Sequence, residues 1–430
     1  MKGDIRRALT GKCRWFDIIE TEGMSTPISF KNNRLYSIRE RQNSGFGVRV
    51  NVNKRTGFSY ANRMDTVGDV IETALAIAEK GDIEEFQLPV DSVQDSFEPF
   101  CEDMRFHLDD EIRKGNDAIN CMRERFPDIR VDVTISGSSG RKRILNSEGF
   151  EGGYRYSYYA ASMNGKLVMK NGSMIEVWES LTGLEPVDIQ ILADAIIDKI
   201  EKAVVDKRLQ SGRIPVVFTP KAFAQLLSIL KSGFSAKAVF RGISPFGDKR
   251  GERIFNSKFG ITDEPRLRGS VYSFPFDDEG VLSRNKSLIE NGIIMQFISD
   301  LKFAHKLGLE SSGNASRSHA SLPIPSFSNV IVSRGEVPFD DLLSVIKRGL
   351  LVDQFIGLGQ SNTLTGQFSA NLDLAFLIEG GEIVGRIKDC MIADNLFDLL
   401  EGTLDLSSEA EQIGSSLVPS VYFPSVHCTC

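Results

Sequence analysis

The sequence predicts an α+β fold of two domains, with antiparallel or mixed sheets, packed helices and a β-rich C-terminal half. Three observations point there. Runs with the period-two alternation of half-buried strands dominate the chain, amphipathic helical stretches stand between them, and two short hairpins with Asn-Gly and Gly-Gly turns lie in the second half. With 430 residues, 41% hydrophobic and 25% charged, the chain has the composition of an ordered globular protein large enough for more than one core.

The first half alternates strands and helices. FGVRVNV (46–52) alternates apolar and polar positions, and FSYA follows after a turn-like Arg55-Thr56-Gly57, which together predict a hairpin. TVGDVIETALAIAEKG sets Val70, Ile71, Ala74, Leu75, Ile77 and Ala78 at helical spacing, with Gly81 as its stop. IRVDVTIS (129–136), RKRILNSEG, YRYSYYAASM and SMIEVWES then read as a meander of antiparallel strands, and VDIQILADAIIDKIEKAVVDK (187–207) as the last helix of this half. Ser211-Gly212-Arg213 marks the boundary, so the expected domains are 1–210 and 211–430. Beyond it come an apolar strand, IPVVFT, and a helix, PKAFAQLLSILKSG, with Pro220 near its start. The hairpins LIENGII (288–294) and LIEGGEI (377–383) favour antiparallel sheet over a parallel doubly wound one.

Charge and cysteine usage exclude several classes of function. Lys+Arg 51 against Asp+Glu 58 leaves a net charge of −7 with no basic block, which argues against direct nucleic-acid binding. No apolar run reaches the ~18 residues of a membrane span, and MKGDIRRALTGKCRW lacks the apolar core of a signal peptide, so a cytoplasmic location is expected. Cys13, Cys101, Cys121, Cys390, Cys428 and Cys430 form no CxxC pair and are expected as reduced, unlinked thiols. His427-Cys428-Thr429-Cys430 bunches three soft ligands but reads as the end of a strand.

Catalytic signatures are sparse. The four histidines, His107, His305, His319 and His427, show neither HExxH nor HExxxH spacing, so a metal site would need dispersed ligands such as His305, His319 and Asp277. There is no GxSxG elbow, and Gly45-Phe46-Gly47 lacks the context of a phosphate loop. Two features remain as candidates. The acidic run Asp277-Asp278-Glu279 precedes the first short hairpin, where it can set a turn or line a cavity. The stretch SGNASRSHASLPIPSFSNV (312–330) is too long for an ordinary connection, and its Asn314 and Arg317 can hydrogen-bond the main chain of an extended ligand.

Six segments in order, GFGVRVNVNKRTGFSYAN, PVVFTPKAF, FDDEGVLSRNKSLIENG, KLGLESSGNASR, PIPSFSNVIV and FLIEGGEIV, resemble the TldD/PmbA family, once labelled modulators of DNA gyrase. The resemblance implies a two-part α+β architecture and a paired assembly, in which a TldD subunit carries HExxxH and zinc and a TldE (PmbA) subunit carries neither. The metal helix of that family follows the PVV strand. Here its place is taken by LLSILKSG, with Ser228, Ile229 and Gly233 where His, Glu and His would stand. The family's cysteine ligand is also missing from SSEAEQIGSS, so the chain resembles the TldE branch, although its ending SVYFPSVHCTC departs from the expected Gly-rich tail.

The resulting expectation is a subunit with no catalytic residue and no metal of its own. It pairs with an HExxxH-bearing homologue or with itself and binds unfolded peptide through Asn314, Arg317, Asp277 and Asp278. The alternatives are a homodimeric peptide-binding scaffold and a self-sufficient metallopeptidase built on dispersed His and Asp ligands.

Overall fold

The computed structural model describes residues 2–90, 97–102, 104 and 106–430. A first antiparallel sheet is formed by β1 (Trp15–Lys31), β2 (Arg34–Ile38), β3 (Arg41–Val52), β4 (Arg55–Ala61), β5 (Arg130–Asn146), β6 (Glu151–Val168) and β7 (Met174–Gly183). Its order is β4-β3-β1-β5-β6-β7, with β2 folded back on the end of β1. The expected meander is therefore present, and RKRILN continues the same strand as IRVDVTIS instead of starting a new one.

The first hairpin turns ahead of the expected Arg55-Thr56-Gly57. Asn53 and Lys54 occupy the turn at φ 51° and 69°, as a two-residue type I′ connection requires, while Arg55-Thr56-Gly57 already lies in β4. Gly57 serves packing instead. A Cβ there would sit 2.0 Å from the Ala74 carbonyl, so its absence lets helix α2 (Val67–Ala78) pack against the sheet; α1 is the preceding Lys2–Leu9. Val70, Ile71, Ala74 and Ala78 face that packing, whereas Ile77 is exposed.

Two further helices, α3 (Leu108–Arg125) and α4 (Gln190–Ala203), cover the other end of the first sheet. Ala118, Ile119 and Met122 of α3 and Leu192, Ile196 and Ile200 of α4 share one core with Val131, Val133 and Val177 beneath them and with Leu351, Phe376 and Ile378 of the second sheet. The helices are thus sandwiched between two sheets. Each contributes a stripe of small and aliphatic residues at i, i+3 and i+4 spacing.

The second half builds a twelve-stranded sheet with most pairs antiparallel. Its strands are β8 (Asp206–Lys207), β9 (Gly212–Phe218), β10 (Ile261–Asp263), β11 (Lys286–Glu290), β12 (Ile293–Ile294), β15 (Val330–Val332), β16 (Arg348–Ile356), β17 (Gln367–Glu379), β18 (Glu382–Ile387), β19 (Met391–Asn395), β20 (Asp405–Ile413) and β21 (Ser416–Thr429). The remaining two, β13 (Ala315–Ser316) and β14 (Ile324–Pro325), pair only with each other. The path runs β12-β11-β10-β15-β21-β9-β16-β17-β18-β8, and β19 bridges β17 to β21, which closes the centre of the sheet on itself. Parallel pairs occur at β9–β16, β15–β21 and β8–β18. The expected LIENGII and LIEGGEI hairpins are β11–β12, turning at Asn291-Gly292, and β17–β18, turning at Gly380-Gly381, all four at positive φ. Helix α5 (Pro220–Gly233), capped by Thr219, buries Phe223, Leu226 and Leu230 against the strands. Ahead of the Ser211–Arg213 boundary, β8 already pairs with β18 of the second sheet, starting three residues after α4 ends.

The ending is not a loose tail. β21 pairs with β9, β19 and β20, and the turn after β18 brings Cys390 within disulfide reach of Cys430. This corrects the expectation of unlinked thiols: forty residues of separation hide a contact that sheet register creates. Among the described residues, no helix is long and apolar enough to cross a membrane.

Candidate functional site

The acidic run and the long loop meet, as a buried latch between the two halves. Asp277 shapes the turn: its Oδ1 accepts from the Glu279 and Val281 amides at 3.0 and 2.9 Å, and its Oδ2 from the Ala315 amide at 2.9 Å. Asp278 reaches back to the first sheet, where the Lys142 Nζ of β5 donates at 2.7 Å, and it also accepts the Arg317 amide at 2.7 Å. Arg317 Nη1 donates to Asp17 of β1 at 3.0 Å, Asp17 pairs with Arg49 of β3, and Arg49 Nη1 returns to Glu279 at 2.8 Å. Every member of that ring is nearly inaccessible to solvent. Burial works to raise the Asp17 pKa, but the Arg317 and Arg49 charges overcome it and hold the carboxyl below its usual range.

Asn314 is saturated within the chain. Its Nδ2 donates to Asp263 at 2.8 Å and to the Ser326 carbonyl at 3.0 Å, while its Oδ1 accepts from Lys286 at 2.7 Å and from Ser312 at 2.8 Å. An amide with all four positions taken has nothing left for a ligand. Asn314, Arg317, Asp277 and Asp278, the residues expected to contact a peptide, are each held by hydrogen bonds and ion pairs that order the loop and join the two halves. Asp277, Asp278 and Asn314 do line a cavity, but of about 80 Å³, room for a few waters and not for a peptide.

The dispersed histidines do not assemble either. His319 is held by Thr21 Oγ1 at Nδ1 (2.7 Å) and by Asn62 Oδ1 at Nε2 (2.9 Å), and burial lowers its pKa, keeping it neutral. It explains Gly45-Phe46-Gly47: a Cβ on Gly45 would meet the His319 ring at 2.4 Å, and one on Gly47 the His319 carbonyl at 2.3 Å. His305 is exposed on the helix Leu301–Leu307, and Asp277 spends its oxygens on backbone amides. Among the described residues, the one group of His, Cys, Asp or Glu whose ligand atoms converge is Cys390, Cys428 and Cys430.

Asp300 caps that helix and supplies a pH-dependent element. Its Oδ1 accepts from the Phe303 amide at 2.7 Å, its Oδ2 has no partner, and burial followed by the nearby Glu279 charge pushes its pKa up to about 7. A carboxyl whose folded pKa exceeds its unfolded one favours the folded state fully below the unfolded value of ~3.9, and that contribution is lost as pH rises towards 7. Asp300→Asn keeps the cap acceptor, so urea unfolding from pH 4 to 8 is expected to show a smaller decline in the variant than in the parent. Parallel curves for the two proteins would reject this assignment.

The helix α5 tests whether the residues equated with HExxxH fit a metal, and they do not. The Ser228 hydroxyl is exposed and donates to the Gln225 carbonyl at 2.7 Å, Ile229 is buried in the core, and a Cβ on Gly233 would lie 2.6 Å from the Phe246 ring. No side chain here offers a nitrogen or thiolate, and there is no space for one at Gly233.

The start of α5 instead overlooks a cleft of about 460 Å³ that sequence reasoning missed. Lys221 Nζ, at 3% residue exposure, sits 2.8 Å from Glu179, 2.7 Å from Asp353, and 2.9 Å from both Gln354 Oε1 and the Trp178 carbonyl. Lys199 of α4 bridges the same two acids at 2.6 and 2.9 Å. Leu351, Phe376 and Ile383 give the cleft apolar surface, and Asp340, Glu409 and Glu411 add acidic groups. The available signal was a lysine in the first turn of a largely apolar helix, which gains meaning only when acids from two distant segments, Glu179 and Asp353, surround it.

Family profiles match in three consecutive segments: PmbA/TldA metallopeptidase domain 1 at 16–78, the central domain at 106–209 and the C-terminal domain at 211–429. An uncharacterized protein of Methanocaldococcus jannaschii is 30% identical over 383 residues, 88% of each chain. A metalloprotease of Methanothermobacter thermautotrophicus is 25% identical, over 95% of this chain and 91% of its own length. The crystal structure of TldE from Thermococcus kodakarensis superposes with a TM-score of 0.93 at 24% identity, each chain covered completely, which establishes a shared fold.

Proposed function

The chain belongs to the PmbA/TldD metallopeptidase family, and from that premise we propose that it is a non-catalytic subunit of the TldE kind, which pairs with an HExxxH-bearing, zinc-holding homologue and helps to hold unfolded peptide for cleavage. The observation that carries this reading is α5, whose Ser228, Ile229 and Gly233 stand where the resemblance places ligands and base, with Gly233 packed against Phe246. A metallopeptidase needs a Lewis acid and a proton acceptor at the scissile carbonyl, and the three positions Ser228, Ile229 and Gly233 supply neither. The partner supplies both in this reading.

The cleft beside α5 is the place proposed for peptide side chains. Its apolar surface suits an aliphatic or aromatic residue and its six carboxylates against three lysines suit a basic one, a combination that tolerates varied unfolded sequences. The test mixes this chain with an HExxxH-bearing homologue and follows cleavage of an unfolded polypeptide. Activity is expected only in the mixture and is expected to vanish on chelation while this chain stays folded. Cleavage by this chain alone, abolished by His305→Ala or His319→Ala, would falsify the assignment and restore the self-sufficient reading.

A further inference from the structure

We propose that Cys390, Cys428 and Cys430, once reduced, form a three-thiolate site for a thiophilic monovalent d¹⁰ cation of the Cu(I) class, separate from the proposed peptide cleft and from α5. The end of one strand and a turn build it. Cys428 lies in β21 and Cys430 directly follows it, with their sulfurs in contact, and Cys390, whose carbonyl accepts the Leu372 amide at 2.9 Å, approaches from the turn after β18. One ligand atom from each lies within 4.8 Å of the others, and the Cys428 and Cys430 sulfurs are 3.8 Å apart.

The surroundings hold this arrangement. Cys430 is clamped by Ser211, whose Oγ accepts from its amide at 3.0 Å and donates to its carbonyl at 3.2 Å. Cys390 and Cys428 belong to the main apolar core of the second domain. Chelation there is thus a property of paired strands and not of a loose end. Soft thiolates match a soft cation: each thiol gives up its proton, and the resulting three-thiolate complex carries two negative charges, which the exposed Cys430 side opens to solvent. Structural zinc almost always takes four ligands, and this group offers three, which selects the lower-coordinate Cu(I).

Loading begins with the Cys390–Cys430 disulfide. A dithiol reductant gives two electrons and two protons to the bond, becomes a cyclic disulfide itself, and leaves three thiols that each release one proton on binding the cation.

The experiment uses the full chain with Cys13→Ser, Cys101→Ser and Cys121→Ser, so that only the cluster carries thiols. After reduction it is titrated with Cu(I) against a chromophoric Cu(I) chelator, with circular dichroism recorded in parallel. One Cu(I) per chain is expected, and Cys428→Ser or Cys390→Ser should each weaken binding by more than about tenfold, the scale at which even outer-shell changes act. Folded, reduced protein that takes up no Cu(I) overturns the proposal. So does retention of Cu(I) by the Cys428→Ser variant, or loss of the fold on reduction, since the thiols would then not stand together.

Discussion

Arg49→Met is expected to lower the unfolding free energy by about 3–5 kcal/mol, because it removes one partner from a buried ion-pair ring and leaves the others uncompensated. Arg49 is 2% exposed, and its guanidinium serves Asp17 in the first sheet and Glu279 in the second half at once. It also lies over the Trp15 and Phe86 rings, at 5.4 and 5.3 Å. Arg49→Lys should recover only part of the loss, since one ammonium cannot present a planar fork to two carboxylates. Acid sensitivity should change in a defined direction. The depressed Asp17 pKa contributes stability above its unfolded value of ~3.9 that is lost as pH falls through the folded value; with Arg317 as its sole remaining cation, that loss begins at higher pH. Urea midpoints of the three proteins between pH 3 and 7 measure both effects. A cost below ~1 kcal/mol would mean the ring is worth no more than a surface pair.

Lys221→Met is expected to cost a similar ~3–5 kcal/mol. The ammonium is surrounded by Glu179, Asp353, Gln354 and the Trp178 carbonyl, and it lies 4.7 Å from the Trp178 ring. Its loss leaves two acids sharing Lys199 alone. Burial works to raise the Asp353 pKa, but the Lys221 and Lys199 charges hold it below the usual carboxylate range, so the deficit should shrink as pH falls through that depressed value, where the acid takes up a proton and no longer needs a cation. Asp353→Asn combined with Lys221→Met removes charge from both sides and should recover part of the loss, which a double-mutant cycle reads directly. If the double variant is as unstable as the sum of the singles, the interaction is not the source of the effect.

Local chemistry made much of the fold legible. The helix α2, the meander β5–β7 and the two short hairpins each follow from spacing that acts within a dozen residues. Two elements lack such a signature. β1 reads WFDIIETEGMSTPISFK, where Asp17, Gly23 and Pro27 interrupt any alternation, yet it is a central strand because β3 and β5 pair along most of its length. α3 reads LDDEIRKGNDAINCMRER, and its Glu111 and Gly115 are buried: the acid takes a hydrogen bond from Tyr159, and the glycine leaves room for Phe30. The polar character that disguises each element is answered by partners distant in the chain.

By itself, the sequence determined the α+β class, the order of the motifs that place the chain in its family, and the residue types along α5. Those rest on composition, period and turn residues, which the chain carries locally. Tertiary structure alone decided what the singled-out side chains do. Whether Arg317 and Asn314 face a ligand or a carboxylate of their own chain depends on which strands flank them, and so does whether Cys390 is alone or beside Cys430. Burial changes the worth of a charge or a thiol by several kcal/mol, far more than its identity does in water. Burial is a property of the assembled sheets.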